Sequence, residues 1–165
     1  MKTEMGLVDK GDYDKTPQIP EDYYMAKLDD IKTYDRDDAE ALGMVINFEI
    51  DTSDADTEED SVVLPFFAPA KLSHSSKRES SKLGENLYRI GILKPLLKEM
   101  DIDLNLIIDG KKKWVAKNEE ESEDLKQILK SIFLDKEIRV NVEDDQSGES
   151  SQVSKLSKIF EGDSK

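Results

Sequence analysis

Apolar and polar side chains alternate along several stretches of this chain. The longest such run, Leu42, Met44, Ile46, Phe48 and Ile50, predicts a strand with one buried face. An earlier strand follows from Tyr24, Ala26 and Leu28, after which Ile31 is displaced by one position, and a bulge near Asp29-Asp30 accounts for the slip. The polar segment Asp51 to Asp60 ends the second strand, and Ser61 to Ala68 supplies a third through Val62, Val63, Leu64, Phe66 and Phe67. Three antiparallel strands are therefore expected first.

The period then changes. Ser76 and Glu79 fit a capping box, and Leu83, Leu87, Ile90 and Leu97 continue at helical spacing, with a kink or restart expected near Lys94 and Pro95 because proline lacks the amide hydrogen. Leu104 to Ile108, the turn dipeptide Asp109-Gly110 and Lys111 to Ala116 predict a short hairpin. Asn118 caps a second helix whose first turn, Glu119 to Glu121, is acidic, and Leu125, Ile128, Leu129, Ile132 and Phe133 form its apolar stripe. Ile138, Val140 and Val142 alternate again. Val153, Leu156 and Ile159 recur every third residue, a spacing that suits a helix, while Ser150-Ser151 and Ile159-Phe160 suit a strand; strand is the preferred reading.

Three strands, a helix and two more strands is the order of the OB-fold, so the expected class is α+β, mainly β: an OB-fold-like five-stranded barrel with a helix between strands three and four. The inserted hairpin and second helix occupy about residues 101–134. Residues 1–21, with Pro17 and Pro20 and few large apolar side chains, read as a disordered or draped tail, residues 22–160 as one domain, and 161–165 as a C-terminal tail.

Composition narrows the chemistry. The chain has 165 residues, no cysteine, one histidine and a net charge of −14. Thiolate metal sites and disulfides are excluded, and a reducing compartment is implied. No apolar run is long enough to span a bilayer, and charges occupy the start of the chain where a signal peptide needs its apolar core, so a cytoplasmic protein without membrane association is expected. The acidic excess opposes general affinity for polyanions, but it is concentrated at Asp51 to Asp60, Glu119 to Asp124 and Glu143 to Glu149. The local surface can still be basic elsewhere.

Three segments resemble a known family, the OB-fold single-stranded-DNA-binding proteins of phages and plasmids encoded near replication and recombination genes. They are Ile19-Pro20-Glu21-Asp22-Tyr23-Tyr24-Met25-Ala26-Lys27-Leu28 with the later Asn47-Phe48-Glu49-Ile50, then Lys82-Leu83 leading into Leu93 to Met100, and Leu134-Asp135-Lys136-Glu137-Ile138-Arg139-Val140-Asn141-Val142. Asp135 stands where that family has glycine, and residues 101–134 form a longer excursion than the family pattern contains. The resemblance implies an accessory protein of phage-type replication or recombination whose partner is single-stranded DNA, with a replication or recombination protein as a further partner.

Binding a single strand takes cations along the backbone and aromatic faces for the bases. One candidate group is Lys71, Lys77, Arg78, Lys82 and Arg89, between the third strand and the helix; another is Lys111, Lys112, Lys113 and Trp114 on the hairpin's return arm, where the opposing reading is a solvated arm with Trp114 covering the second helix. Arg139 joins them from the closing strands, with Lys155 and Lys158 as further charges. Phe66 and Phe67 point to opposite faces of a regular strand, so one of the pair, taken as Phe67, is available for stacking. His74 lies in a Ser/Lys-rich loop without a nucleophile or phosphate cradle, and Asp51 to Asp60 lacks the glycine and acid spacing of a calcium loop. No catalytic residue, metal site or cofactor is expected. The alternative function is an acidic protein–protein interaction module, a replication or recombination partner or DNA mimic that does not bind nucleic acid.

Overall fold

The structure is a computed structural model, and it describes residues 17–35, 41–55, 57, 59–75, 80–108 and 113–161. Among these residues the chain forms β1 (Asp22–Tyr34), β2 (Gly43–Asp51), β3 (Ser61–Pro69), β4 (Lys71–Leu72), α1 (Lys82–Arg89), α2 (Leu93–Glu99), α3 (Leu104–Ile107), β5 (Trp114–Val115), α4 (Glu119–Phe133), β6 (Lys136–Asp144) and β7 (Ser151–Glu161). The class is α+β, mainly β.

Five long strands form one antiparallel sheet in the order β3-β2-β1-β6-β7. Its inner face carries Ile46, Phe48 and Ile50 from β2, Leu64 and Phe66 from β3, and Ile138, Val140 and Val142 from β6, all fully buried. Leu83 and Leu87 of α1, three leucines of α2, and Leu125, Leu129 and Phe133 of α4 close over this face. Each such side chain stabilises the fold by about 1.5–3 kcal/mol. The Phe133 ring meets Phe48 edge-on at 6.0 Å, which fixes α4 against β2.

The edge strands β3 and β7 come into contact, but no ladder joins them among the described residues. The sheet thus curls and stays open. At Leu156 the edge of β7 is satisfied by α1 instead: Asn86 Oδ1 accepts the Leu156 N–H at 2.8 Å, and Arg89 Nη1 donates to the Leu156 carbonyl at 3.5 Å.

Irregular pairing explains two features of the pattern. The β1–β2 register shifts between Leu28 and Asp30, so Ile31 returns to the inner face opposite Ile46. On β7 the register shifts twice, because Val142, Val140 and Ile138 face Val153, Leu156 and Ile159. Ser154 and Ser157 are the extra residues, and Ser154 Oγ donates to the Asn141 carbonyl at 3.2 Å. A strand with two bulges therefore repeats its buried positions every third residue.

Several expectations are corrected. The first helix begins at Lys82 with Ser81 as its cap, whose Oγ accepts the Gly84 N–H at 3.0 Å; Ser76 and Glu79 lie outside the described residues. Its break falls at Gly91 (φ 83°), where Ile92 and Gly91 donate to the Leu87 and Tyr88 carbonyls in a Schellman arrangement. Pro95 occupies the first turn of α2, where no amide hydrogen is needed.

The expected hairpin is not formed. Asp103 caps one helical turn by accepting the Asn105 N–H at 2.9 Å, which takes Leu104 to Ile107 out of extended geometry. Trp114 and Val115 pair with Leu72 and Lys71 instead. Asp109 and Gly110 lie outside the described residues.

Residues 17–20, expected in the tail, are docked on the start of β7. Ile19 is buried, its N–H donates to Ser151 Oγ at 2.8 Å, and the Pro17 carbonyl accepts the Ser151 N–H at 2.9 Å. The Tyr24 hydroxyl holds the Pro20 carbonyl at 2.7 Å. Asp135, standing where a glycine was expected, takes the left-handed φ of 61° in the turn from α4 to β6. A short polar side chain tolerates that conformation better than most.

Candidate nucleic-acid interface

Alternation along β6 buries Ile138, Val140 and Val142 and turns Glu137, Arg139, Asn141 and Glu143 to the outer face. Cross-strand neighbours point the same way, so Tyr23 and Met25 of β1 lie beside Asn141 and Arg139. On β7 the bulges at Ser154 and Ser157 put Lys155 opposite Asn141, Lys158 opposite Arg139 and Phe160 opposite Glu137. Without them, strict alternation from Val153 would turn Lys155 inward. The outer face of β1, β6 and β7 thus brings together Arg139, Lys155, Lys158 and the rings of Tyr23 and Phe160, with Lys27, Glu137 and Glu143 at its margins.

The rings and cations are already in register. The Arg139 guanidinium carbon stands 4.8 Å from the Tyr23 ring centroid, and Tyr23 remains 48 % exposed. The Lys158 ammonium stands 5.1 Å from the centroid of Phe160. Exposed pairs of this kind are worth about 0.5–1 kcal/mol each, enough to bias the side chains toward one arrangement.

The strip has an acidic border. A shallow cavity of about 310 Å³ on the same side of the sheet is lined by Met25, Lys27, Glu49, Asp51, Asp60 and Glu137, among others. Lys27 pairs across the ladder with Glu49. A polyanion on the strip is attracted by Arg139, Lys155 and Lys158 and kept away from β2 and β3 by these carboxylates.

Of the residues singled out from the sequence, Arg139, Lys155 and Lys158 lie in this strip. Phe67 is half-buried on the outer side of β3, opposite Val45, while Phe66 is in the core. Lys82 opens α1 with its ammonium 4.9 Å from the Phe66 ring. Arg89 is exposed but engaged by Asn86 Oδ1 at 2.8 Å, Glu85 at 3.3 Å and the Leu156 carbonyl. Lys71 sits in β4, Lys113 is exposed just before β5, and Trp114 is half-buried against the core. Lys77, Arg78, Lys111 and Lys112 lie outside the described residues. His74 stacks on Tyr88 at 3.7 Å, and its Nδ1 lies 3.1 Å from Glu85.

Neither a family model nor a curated protein nor a solved structure matches this chain. The interface is therefore argued from its own residues. Tyr23 and Phe160 were not among the residues singled out from the sequence. The available signal was the every-third spacing of Val153, Leu156 and Ile159, which, read as two bulges, gives the faces of Lys155, Lys158 and Phe160. Among the described residues no helix is long and apolar enough to cross a membrane, and no three His, Asp or Glu side chains converge as metal ligands.

Proposed function

We propose that this chain binds single-stranded DNA on the outer face of β1, β6 and β7, as a non-catalytic accessory of phage-type replication or recombination. The observation that carries the reading is the joint placement of Arg139, Lys155 and Lys158 beside the rings of Tyr23 and Phe160 on one face. Cations follow phosphates, and exposed rings receive bases whatever their sequence. An OB-like architecture fits the same picture: β1 is flanked by β2 and β6, and the two edge strands touch at a seam. The replication or recombination setting rests on the resemblance of the three segments described above.

The test is an anisotropy titration of a labelled thymine oligonucleotide at several salt concentrations. Neutralising one phosphate-binding cation should lower the log–log salt slope by about 0.7, so Arg139→Gln with Lys158→Gln should lower it by roughly 1.4. Absence of binding even at low salt would remove the reading. It would favour the second one, in which the carboxylates of Glu49, Asp51, Asp60 and Glu137 dock a basic replication or recombination protein.

A further inference from the structure

Resting on that reading, we infer that the strand runs lengthwise and obliquely from β1 over β6 to β7, rather than across the sheet toward β2 and β3, with two non-adjacent bases stacked on Tyr23 and Phe160. Tyr23 lies beside Asn141 and Phe160 beside Glu137, positions four residues apart on β6. At roughly 3.4 Å per residue and 4.8 Å per strand, the two rings are about 14 Å apart along the strands and about 10 Å across them, since Tyr23 is on β1 and Phe160 on β7, or about 17 Å in all. Neighbouring bases in a stack are only about 3.4 Å apart, so no dinucleotide reaches both rings. The gap corresponds to about five steps of a stacked strand and to about three of an extended one. The shortest ligand that uses the whole strip is thus about four nucleotides.

The charge between the rings fits phosphates on this path. Arg139 and Lys158 face each other across the β6–β7 ladder, and Lys155 lies beside Asn141 on the Tyr23 side. Arg139 and Lys158 each stand over one of the two rings, so a base on either ring brings its phosphate to a cation. The crosswise path is opposed. Straight across from Arg139 and Met25 it meets the acidic group of Glu49, Asp51 and Asp60, and Phe67, the half-buried ring on that side, lies farther along the sheet, level with Lys32. Glu137, beside Phe160, marks the end of the basic strip.

The experiment compares dT2, dT4 and dT8 as competitors against a labelled thymine octamer, with the full chain and with Tyr23→Leu, Phe160→Leu and Phe67→Leu, each first shown to melt like the parent. Removal of one base stack corresponds to a fivefold to hundredfold weakening, to order of magnitude about tenfold. Tyr23→Leu and Phe160→Leu should each weaken dT4 and dT8 by that amount, Phe67→Leu should leave both within about twofold, and dT4 should bind much more tightly than dT2. Equal affinity for dT2 and dT4, or weakening with Phe67→Leu but not with Phe160→Leu, overturns the lengthwise path. In that event binding that still depends on Arg139 keeps the single-strand reading intact, whereas absence of binding at every length removes both.

Discussion

Asn86 on α1 stands in for a strand partner of Leu156 on β7. Its side-chain oxygen accepts the Leu156 N–H at 2.8 Å, its amide donates to the Lys82 carbonyl at 2.8 Å, and Arg89 donates to the same oxygen at 2.8 Å. The residue is almost wholly buried. Replacing it by alanine leaves the Leu156 N–H without an acceptor, a cost of about 1–3 kcal/mol. Asn86→Asp keeps the acceptor beside Arg89 and should cost less. Urea denaturation of the three proteins orders them; an alanine variant as stable as the parent would mean the edge of β7 finds another partner.

The same helix is pinned by a missing side chain. A Cβ built on Gly84 would lie 2.1 Å from the Ser73 carbonyl oxygen and 2.7 Å from the Ser73 nitrogen. In an open helix Gly→Ala stabilises by about 0.8–1 kcal/mol. Here the backbone of the β4–α1 connection leaves no room, so Gly84→Ala should destabilise, by about 1–3 kcal/mol or more. A rise in melting temperature would show that α1 can move away from Ser73.

Such long-range contacts also mark how far the sequence is legible. The bulge at Asp29 could be read because one displaced residue, Ile31, separated two otherwise regular runs. The two bulges of β7 could not be told from a helical turn, since Val153, Leu156 and Ile159 satisfy both periods. Pro95 drew attention as a breaker, yet Gly91 breaks the helix, because proline harms an interior turn and not a first one. The same ambiguity hid the interface: whether Lys155, Lys158 and Phe160 share a face with Arg139 depends on the bulge positions. Arg89 looked available by type and is engaged with Asn86, Glu85 and Leu156, and its bond to Leu156 has no local signal.

Asp30 gives a pH dependence. Burial works against its ionisation, but the Ile31 N–H and the ammonium groups of Lys32 and Lys130 outweigh burial and hold the carboxyl below its ordinary value. A depressed carboxylate pKa adds stability above the unfolded value, about 3.9, and that stability is lost as pH falls through the lower folded value. Because the side chain is partly exposed, solvent screening keeps the contribution under about 1 kcal/mol. Asp30→Asn should therefore be less stable than the parent at pH 7, with the gap closing below about pH 4. A gap that persists at low pH would point to disturbed packing rather than to the missing charge.

The bulges of β7 make a sharper prediction about both fold and function. Removing Ser157 takes out a residue that has no partner on β6, so Leu156 can stay opposite Val140, Lys158 opposite Arg139 and Ile159 opposite Ile138. From Lys155 onward the shortened strand alternates regularly, keeping the bulge at Ser154 and losing only the bend at Ser157. Its proposed DNA-binding strip keeps every side chain on its face. Removing Asn141 from β6 is different, because that strand has no spare residue: either Val142 turns outward or the preceding run does, since a one-residue slip flips every side chain. Exposing Val142 alone costs about 1.5–3 kcal/mol. Thermal melts should show the Ser157 deletion folding cooperatively and the Asn141 deletion severely destabilised or unfolded. If the Ser157 deletion folds but loses affinity for a thymine octamer, the bend itself, and not only the face of Lys158, shapes the strip. If it does not fold, the bend is what brings β7 to β3 and lets α1 reach Leu156.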